Sequence, residues 1–356
     1  MSEYIPTIGI EVHVEVKSKS KLFSDSANTY GMATNTAVNV IDLGYPGTLP
    51  TLNKEVIRQG VRTAHILNCD ITKRMHFDRK NYFYPDNPKN YQITQNRTPI
   101  GTNGYVEIEV DGISKKIEIE ELHIEEDTCK SAHRGNVSLL DFNRAGVPLI
   151  EIVTKPCIKN GKEAIAYLTK LKELLFYANI SDCKMEEGSM RCEPNISISK
   201  DNNLGTKVEV KNVSSIHNVG LAIDYEIKRQ EEMLNNGEII KEETRRFDEK
   251  EGKTILMRVK ETGNDYRYFI EPDIPYLELT DEFINDSLKT LPLLPDELRE
   301  KYSKIGLSSL QIEKLINNRS LNDYFLGLLS YKTNYVTAVN LLLSDVSSYL
   351  NKHNKV

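Results

Sequence analysis

Hydrophobic and polar residues alternate in the first strand-like segment of the chain. Between Ile8 and Val16, every second residue is isoleucine or valine, and most of the intervening residues are polar. Period-two alternation is typical of a β-strand with one buried face. The pattern therefore predicts a strand whose other face carries Glu11, His13 and Glu15.

Alternating segments recur as far as about residue 270, and helical periodicity appears in three windows between them, 54–67, 163–177 and 218–234. Asp111-Gly112 separates two alternating runs and predicts a hairpin, because a type I′ turn needs positive φ at both central residues. Five further segments are predicted as strands: VPLIEIVT, NISIS, TKVEVKN, TILMRVK and DYRYF. Strands with antiparallel hairpins and interspersed helices predict an α+β fold rather than a doubly wound sheet.

The style of the sequence changes near residue 295. Helix-forming residues dominate from Leu293 onwards, and Leu294-Pro295-Asp296 predicts the start of a helix with proline in its first turn. We therefore expect two domains, a mixed α/β domain over 1–294 and a small helical domain over 295–356.

Composition narrows the class of protein without naming a function. The chain has 356 residues, and 46 Lys and Arg against 52 Asp and Glu give a net charge of −6. This negative net charge argues against nucleic-acid binding through the charge of the whole chain, although binding through local basic patches is not excluded. No apolar run is long enough to span a bilayer, and no signal-peptide pattern begins the chain. The five cysteines include no C-x-x-C pair and suit reduced thiols, so we expect a cytoplasmic protein without membrane partners.

The polar face of the first strand is the most informative candidate for chemistry. Glu11 and Glu15 flank His13, with about 6.6–6.8 Å between successive members of the face. Two carboxylates and an imidazole could bind a divalent cation, and the carboxylates favour a hard ion such as magnesium or manganese. The alternative is a solvent-exposed polar face of an edge strand.

Further carboxylates stand at strand ends and inside an apolar strand. Glu125 and Glu126 follow an alternating run, where loops begin and sites tend to lie, although a solvated acidic turn has the same pattern. Glu151 interrupts an apolar strand and is costly to bury unless it is paired or bound to a cation. A structural salt bridge explains Glu151 equally well.

Charged residues in two later segments suit phosphate or metal contacts. The segment KMEEGSMRCEPN holds Glu187 and Arg191 around a glycine, which suits either a binding loop or a tight surface turn. Alternation places Lys207, Glu209 and Lys211 on one face of a predicted strand. A solvated strand face with alternating charge is the competing interpretation.

Basic and aromatic residues mix in the segment FDRKNYFYPD, which contains Lys80. Such a mixture suits nucleotide or RNA contact through phosphate pairing and stacking, and an aromatic loop anchor is the alternative. Gly252-Lys253-Thr254 resembles the end of a P-loop, but Phe247 stands where the first glycine is required. Any ATP chemistry would therefore need a fold without a P-loop.

Taken together, these segments resemble the GatB family, the B-type subunits of glutamyl/aspartyl-tRNA amidotransferases. The resemblance covers residues 8–275, about three quarters of the chain, with every motif in order. The motifs are IGIEVHVEV, FDRKNYFYPDNPKNYQITQ, LHIEEDTCK, DFNRAGVPLIEIV, KMEEGSMRCEPNIS, GTKVEVKN, ETRRFD and DYRYFIEPDIP.

The resemblance implies a fold, an activity and partners. It implies a cradle domain similar to glutamine synthetase and the guanidino kinases, followed by a small helical domain. It implies that ATP and Mg²⁺ serve to phosphorylate the side-chain carboxylate of Glu or Asp misacylated on tRNA. Ammonia from a separate amidase subunit then displaces the phosphate, in a cytoplasmic heterotrimer whose third member is a small subunit. Such phosphoryl transfer depends on acidic metal ligands and basic phosphate contacts.

The resemblance also implies roles for individual residues. Catalytic and metal-site roles fall on Glu11, His13, Glu126 and Glu151. Weaker candidates for the same cleft are Glu125, Glu187, Asn195 and Glu209. Contacts to phosphate or carboxylate groups fall on Lys80, Arg191, Lys207 and Arg246, with Glu209 also placed at the nucleotide.

This chain departs from the family pattern at several positions. Many relatives have a four-cysteine zinc site at the positions of Ser24, Ser26, Asn39 and Asp42. These residues are poor replacements for thiolates, so we expect no structural zinc. Relatives often have aspartate at Glu193 and proline at Ile270, and the longer Glu193 side chain would alter metal geometry.

The last departure concerns the length of the chain, which ends at Val356. Family members continue through a longer helical domain into a tail that contacts tRNA. A shortened gene product and a natural tail-less homologue both remain open, and the latter could activate a carboxylate that is not attached to tRNA. A third interpretation is a non-catalytic scaffold that holds tRNA or the amidase.

Overall fold

The computed structural model describes residues 3–201, 203–259, 265–331 and 334–353. The chain forms two compact units, 1–290 and 291–356. The helical run expected after residue 294 lies in the second unit, and the roles of the two domains stay predictions.

The described residues contain β-strands that, with one exception, lie before residue 271. In chain order they are β1 Ile5–Glu15, β2 Asp70–Ile71, β3 Arg74–Met75, β4 Asp78–Asn81, β5 Tyr91–Thr94, β6 Gly101–Val110, β7 Ile113–Glu126, β8 Lys130–Arg134, β9 Val137–Asp141, β10 Pro148–Thr154, β11 Met190–Ser199, β12 Val208–Lys211, β13 Glu243–Asp248, β14 Lys253–Val259, β15 Phe269–Ile270 and β16 Leu277–Glu278.

Helices are interspersed with these strands and then follow one another to the end of the described chain. They are α1 Lys54–Ile66, α2 Gly161–Tyr177, α3 Ile216–Asn235, α4 Asp281–Leu288, α5 Pro295–Lys304, α6 Ser309–Ile316, α7 Arg319–Leu328, α8 Tyr335–Leu341 and α9 Ser347–Lys352. A π-helical segment, Leu342–Val346, joins α8 to α9.

A nine-stranded mixed sheet dominates the first unit, in the order β14-β13-β12-β11-β1-β10-β7-β6-β2. Neighbouring strands pair antiparallel except for β12 and β13, which are parallel. Helices α2 and α3 pack against each other and against β6 and β11. This mixed α/β architecture agrees with the expected class, because antiparallel pairing dominates the sheet and repeated βαβ crossovers do not build it.

Strand β1 lies near the middle of the sheet, between β10 and β11. The alternation predicted from the sequence is confirmed, because Ile8, Val12 and Val14 are completely buried while the intervening positions are partly exposed. The interpretation of this segment as an edge strand is therefore wrong. Both edges of β1 are paired with neighbouring strands. Its polar face lines a cleft and does not lie at an outer edge of the sheet.

Local signals located the turn and the three long helices well. Asp111 and Gly112 have φ of 52° and 78°, as the predicted hairpin between β6 and β7 requires. Helix α2 begins two residues before the predicted window because the Asn160 side chain accepts a hydrogen bond from Glu163 N at 2.9 Å. Ser215 caps α3 in the same way.

The segment DYRYF differs from its prediction as a strand. Only Phe269 and the following residue pair with β4, whereas the residues before them are irregular. Asp265 accepts a hydrogen bond from Arg267 N at 3.0 Å, and Arg267 has a φ of 49°. This local turn prevents an extended conformation. The hairpin of β8 and β9 was not predicted.

The second unit is helical. Proline occupies the first turn of α5, as predicted, and Glu297 accepts a hydrogen bond from Leu294 N at 2.7 Å. Buried Tyr302 stacks edge-on against Phe325 and donates a hydrogen bond to Asn322 at 2.6 Å. In the described part of the chain, no helix combines the length and apolarity that a membrane crossing requires.

Candidate active site

The polar face of β1 forms the floor of a cleft of about 690 Å³. Strand register brings His13 opposite Glu151 of β10 on one side and Arg191 of β11 on the other. Two residues along on the same face, Glu11 lies opposite Glu193 of β11. Pairing of three strands thus gathers charged side chains that are far apart in the sequence.

His13, Glu125 and Glu151 form the first cluster of potential metal ligands. His13 Nε2 lies 3.5 Å from Glu125 Oε1 and 3.4 Å from Glu151 Oε2. His123 Nε2 lies 2.8 Å from the same Glu151 oxygen. The Glu151 carboxylate therefore lies between the imidazoles of His13 and His123, and the Glu125 carboxylate faces His13.

Glu11, Glu193 and Glu209 form the second cluster, whose ligand oxygens all lie within 4.8 Å of one another. Asn195 donates a hydrogen bond to Glu11 Oε1 at 2.9 Å and holds that carboxylate in place. Lys211 Nζ lies 2.6 Å from Glu193 and 3.4 Å from Glu209. One ammonium therefore neutralises part of the charge of three carboxylates.

Burial and charge act against each other in the first cluster. Burial alone would lower the pKa of His13, but Glu151 and Glu125 raise the pKa to about 9. His123 likewise has a raised pKa, because Glu151 outweighs its burial. Burial would raise the pKa of Glu151, but His123 and His13 hold it well below its usual range. The cluster therefore favours an ionised Glu151 and positively charged imidazoles.

In the second cluster, burial and the neighbouring charges shift the pKa of Glu11 in the same direction. Burial raises the pKa of Glu11, and the neighbouring carboxylates of Glu151, Glu193 and Glu209 raise it further. Several carboxylates crowd together around Lys211 in this cluster. A cation is the group that relieves such repulsion.

Cations and aromatic rings line the remaining walls of the cleft. The basic residues are Lys80, Arg191, Lys211 and Arg258. Tyr82 and Tyr266 also line the cleft, and Lys80 Nζ lies 5.0 Å from the centre of the Tyr266 ring. Arg191 donates to Asp127 at 2.7 Å. The cleft thus combines carboxylate clusters with cations that could hold an anion.

Both clusters fit a hard divalent cation. Carboxylate oxygens with at most one imidazole are the donors that magnesium and manganese prefer. His13 Nε2 faces the two carboxylates, while its buried Nδ1 has no hydrogen-bond partner among the described residues. Only a neutral imidazole can be a metal ligand, so a cation bound there would displace the proton that His13 carries in its absence. The residues that would hold a cation are therefore His13, Glu125 and Glu151, and beside them Glu11, Glu193 and Glu209.

The structure separates the predicted site residues into three groups. Those lining the cleft are Glu11, His13, Lys80, Glu125, Glu151, Arg191 and Glu209. Asn195 and Lys207 lie in a hollow next to the cleft. The lining of the cleft does not include Glu126, Glu187 or Arg246.

The three residues outside the cleft have other partners. Glu126 is ion-paired with Lys89 and accepts a hydrogen bond from Ile93 N, because strand alternation turns its side chain away from that of Glu125. Glu187 accepts from Lys184 at 2.8 Å in a surface turn. Arg246 is exposed and donates to Asp248 at 3.3 Å.

Sequence reasoning did not select some residues that line the cleft. Lys211 stood out only as part of an alternating face, and Glu193 only as a departure from the family pattern. Both alternate in strands with predicted residues, so period two was the signal that could have found them. Tyr82 belongs to the basic and aromatic segment FDRKNYFYPD, which suggested stacking without selecting that ring. Arg258 carried no comparable signal, because only strand pairing brings its segment to the cleft.

Of the four positions at which many relatives have zinc-binding cysteines, three gather around the carboxylate of the fourth, Asp42. Ser24 and Ser26 donate to Asp42, each at 2.6 Å, and Asn39 N donates to the same carboxylate at 3.0 Å. The completely buried Lys21 donates to Asp42 at 3.1 Å. A carboxylate that is paired with an ammonium and surrounded by hydroxyl and amide groups does not fit zinc, which prefers thiolate and imidazole.

Comparison with known proteins identifies the family. The family model described as the GatB/GatE catalytic domain matches residues 6–285. This range covers more than half of the chain and includes both carboxylate clusters. The chain therefore belongs to the GatB/GatE catalytic domain family.

The chain is also similar to curated proteins along nearly its whole length. It is 50% identical over 349 residues to the B-type subunit of the aspartyl/glutamyl-tRNA(Asn/Gln) amidotransferase of Staphylococcus sp, covering 97% of this chain and 74% of the relative. It is 49% identical over 352 residues to the protein of the same name from Geobacillus thermodenitrificans, covering 98% and 74%. The corresponding Bacillus velezensis protein is 50% identical over 352 residues, with the same coverage.

Proposed function

We propose that this chain is the ligase subunit of a glutamine-dependent tRNA amidotransferase. It uses ATP to phosphorylate the side-chain carboxylate of Glu or Asp attached to tRNA, and then forms the amide with ammonia. The observation that carries this proposal is the joining of two carboxylate clusters and four basic side chains in one cleft. Family membership and the names of the relatives support it.

The reaction proceeds in two balanced steps. A carboxylate oxygen of the substrate attacks the γ-phosphorus of ATP, the bond from that phosphorus to the β,γ-bridging oxygen breaks, and ADP leaves with the bonding electrons. Ammonia then attacks the carbonyl carbon of the acyl phosphate, the carbon–oxygen bond breaks, and phosphate and one proton are released. Activation is needed because a free carboxylate has no adequate leaving group.

The residues of the cleft suit the charge that this chemistry gathers. Magnesium, when bound, neutralises phosphate charge and orients the transferring group. His13 and Glu11 with their neighbouring carboxylates would hold the cations. Lys80 and Arg191 line the cleft and would bind the anionic oxygens of phosphate or substrate. Positioning and charge neutralisation are the main demands of phosphoryl transfer.

The proposal includes the fold type, partners and location that the family resemblance implies. The first domain is a cradle of the glutamine synthetase and guanidino kinase type. Ammonia comes from the amidase partner, and the small third partner completes the heterotrimer, in the cytoplasm where misacylated tRNA is available. Dependence on a separate amidase is consistent with a ligase cleft in a sequence that contains no amidase signature.

The test is ADP formation by the chain with its amidase partners, with misacylated tRNA compared against free Glu or Asp. Glu11→Ala and His13→Ala should each abolish ADP formation while leaving the melting curve intact. Glu187→Ala, in the surface turn, is the matched control and should keep wild-type activity. Normal kinase activity in a folded His13→Ala variant would contradict the assignment of His13 to the metal site.

The substrate arm of the same experiment separates the alternatives. Stimulation by misacylated tRNA alone supports the proposal. Stimulation by a free carboxylic acid would favour a paralogue that activates a carboxylate not attached to tRNA. Absence of ADP formation with every substrate, together with tight binding of tRNA or amidase, would favour a scaffold.

A further inference from the structure

The chain contains three Asn-Gly dipeptides, Asn103-Gly104, Asn160-Gly161 and Asn236-Gly237. An asparagine before glycine can lose its side-chain amide, because glycine has no Cβ to hinder attack by its backbone nitrogen on the side-chain carbonyl carbon. The attack closes a five-membered ring, and it requires the backbone to rotate about the Cα–C bond of the asparagine. The two reacting residues are the same at each site, so the fold decides where this rotation can occur.

Asn160-Gly161 is held at the start of α2. The Asn160 side-chain oxygen accepts a hydrogen bond from Glu163 N at 2.9 Å. Gly161 N donates to Asp224 at 2.8 Å, and a Cβ at Gly161 would lie 2.4 Å from Gly220 O of α3. The side chain that would be attacked and the nitrogen that would attack are therefore both held by other groups.

Asn103-Gly104 is held within β6. Gly104 is buried, and a Cβ there would lie 2.4 Å from Cys69 Sγ and 2.6 Å from Leu67 O. The Asn103 side chain donates a hydrogen bond to Asp70 at 3.3 Å. Close packing around the glycine and pairing within the sheet therefore prevent the rotation that ring closure requires.

Asn236-Gly237 follows the last turn of α3 and lacks these constraints. Both residues are exposed, and the chain from 238 to 242 forms no helix or strand. A Cβ at Gly237 would meet nothing within 4 Å. Among the described residues, no group forms a hydrogen bond with the Asn236 side chain. Gly237 N donates to Leu234 O at 3.1 Å, but bonds at a helix end open easily.

We infer that Asn236 is a site of spontaneous deamidation in the folded chain. Gly237 N attacks Asn236 Cγ, the bond from Cγ to Nδ2 breaks, and ammonia leaves with the proton of the glycine N–H. Water then adds to one of the two carbonyl carbons of the resulting succinimide and opens the ring to aspartate or isoaspartate. The net reaction consumes one water and releases one ammonia, and it needs no cofactor.

The product places a negative charge where the protein is least suited to receive it. Asn236 is the C-cap of α3, and the macrodipole of a helix is negative at this end. The exposed carboxylates of Glu232 and Glu238 are close in the chain and add to the repulsion. Deamidation should therefore loosen the end of α3 and make the chain more acidic.

Mass spectrometry of the full-length chain, aged at mildly alkaline pH in ¹⁸O-labelled water, tests the inference. The label enters only carboxylates that form during the incubation, so acid that forms during later digestion is not counted. Asn236 should convert at least about tenfold faster than Asn103 and Asn160, because a helix end opens at a lower free-energy cost than packed structure. Fragmentation of its peptide should show both aspartate and isoaspartate, the products of the ring.

Two neighbouring substitutions provide a matched comparison. Asn236→Gln should abolish labelling at this position, because glutamine would have to close a less favourable six-membered ring. Asn235→Gln changes the adjacent exposed asparagine and should leave the rate at Asn236 unchanged. Absence of labelling at Asn236 in the wild-type chain would overturn the inference.

The same incubation in guanidinium chloride separates the effect of the fold from that of the sequence. In the unfolded chain the three dipeptides should convert at similar rates, since no packing or capping distinguishes them. Equal rates at all three sites in the folded chain would contradict the inference. A preference for Asn236 that persists unchanged in guanidinium chloride would also contradict it, because the fold would then not be the cause.

Discussion

Lys80 shows at the scale of a single residue how the cleft is prepared for an anion. Its ammonium lies over the Tyr266 ring, and among the described residues no carboxylate forms a salt bridge with it. Burial would lower the pKa of Lys80, but Glu125 and Glu151 raise it, so the side chain stays charged. A half-buried cation without a close ionic partner among the described residues is well placed to receive a phosphate or carboxylate oxygen.

We therefore predict that Lys80→Met lowers kcat for ADP formation by about 100-fold to 1,000-fold, the usual loss when one preorganised charge contact is removed. Methionine keeps the apolar stem against Tyr266, so the melting temperature should stay within a few degrees. Lys116→Met is the matched control, because Lys116 lies 3.9 Å from the Tyr105 ring centre outside the cleft. Equal activities of the two variants would contradict the role of Lys80.

At the scale of an element, the segment before α1 is organised around the buried pair of Lys21 and Asp42. The Asp42 carboxylate accepts hydrogen bonds from the hydroxyl groups of Ser24 and Ser26 and from the backbone N–H of Asn39. Burial lowers the pKa of Lys21, and Asp42 partly restores it. Each member of the pair therefore supplies the counter-charge that the other buried group requires.

Removing one member of this pair should destabilise the protein strongly. We predict that Lys21→Met lowers the free energy of unfolding by about 3–5 kcal/mol, because Asp42 is left buried without its counter-ion. Lys21→Met combined with Asp42→Asn should cost less than the sum of the two single changes. Lys19→Met is the exposed control, and urea unfolding is the measurement. Additive effects would refute the coupling.

The same element makes a prediction about metal content and pH. Elemental analysis should find no stoichiometric zinc, and a zinc-selective chelator should leave the melting temperature unchanged. Since the folded pKa of Lys21 is lowered, the unfolded chain binds more protons between that pKa and 10.5. Stability contributed by this group should therefore rise with pH through that window, and the rise should be absent in Lys21→Met. Stoichiometric zinc would contradict the prediction that the groups around Asp42 do not bind this metal.

At the scale of the whole molecule, the chain consists of two units with separate interiors. The cleft, both carboxylate clusters and the nine-stranded sheet all belong to the unit of residues 1–290. The second unit has its own core, which includes Tyr302 and Phe325. A domain with its own core can fold independently.

We predict that a fragment of residues 1–290 folds alone and binds ATP within about threefold of the affinity of the full chain. The reason is that every described residue that lines the cleft precedes residue 260 or lies at Tyr266. Circular dichroism on heating should show a cooperative transition, and calorimetry should give the Kd. A fragment without a cooperative transition would show that the first unit depends on the second.

The sequence determined the local framework of this protein. Alternation identified the buried and polar faces of β1, Asp111-Gly112 identified a hairpin, and helical periodicity located the long helices to within about two residues. These features depend on neighbours in the chain, since side-chain direction, turn conformation and capping are set within a few residues. The family resemblance added the expected chemistry to that framework.

Tertiary structure alone decided which charges meet. Glu125 reaches His13 while the adjacent Glu126 turns away to Lys89, and strand register brings Glu193 beside Glu11. The sequence could not assign these partners, because register between distant strands is chosen by burial of the apolar face across the whole sheet. The sequence thus determined the polar face, and the packing of the sheet determined the site built on it.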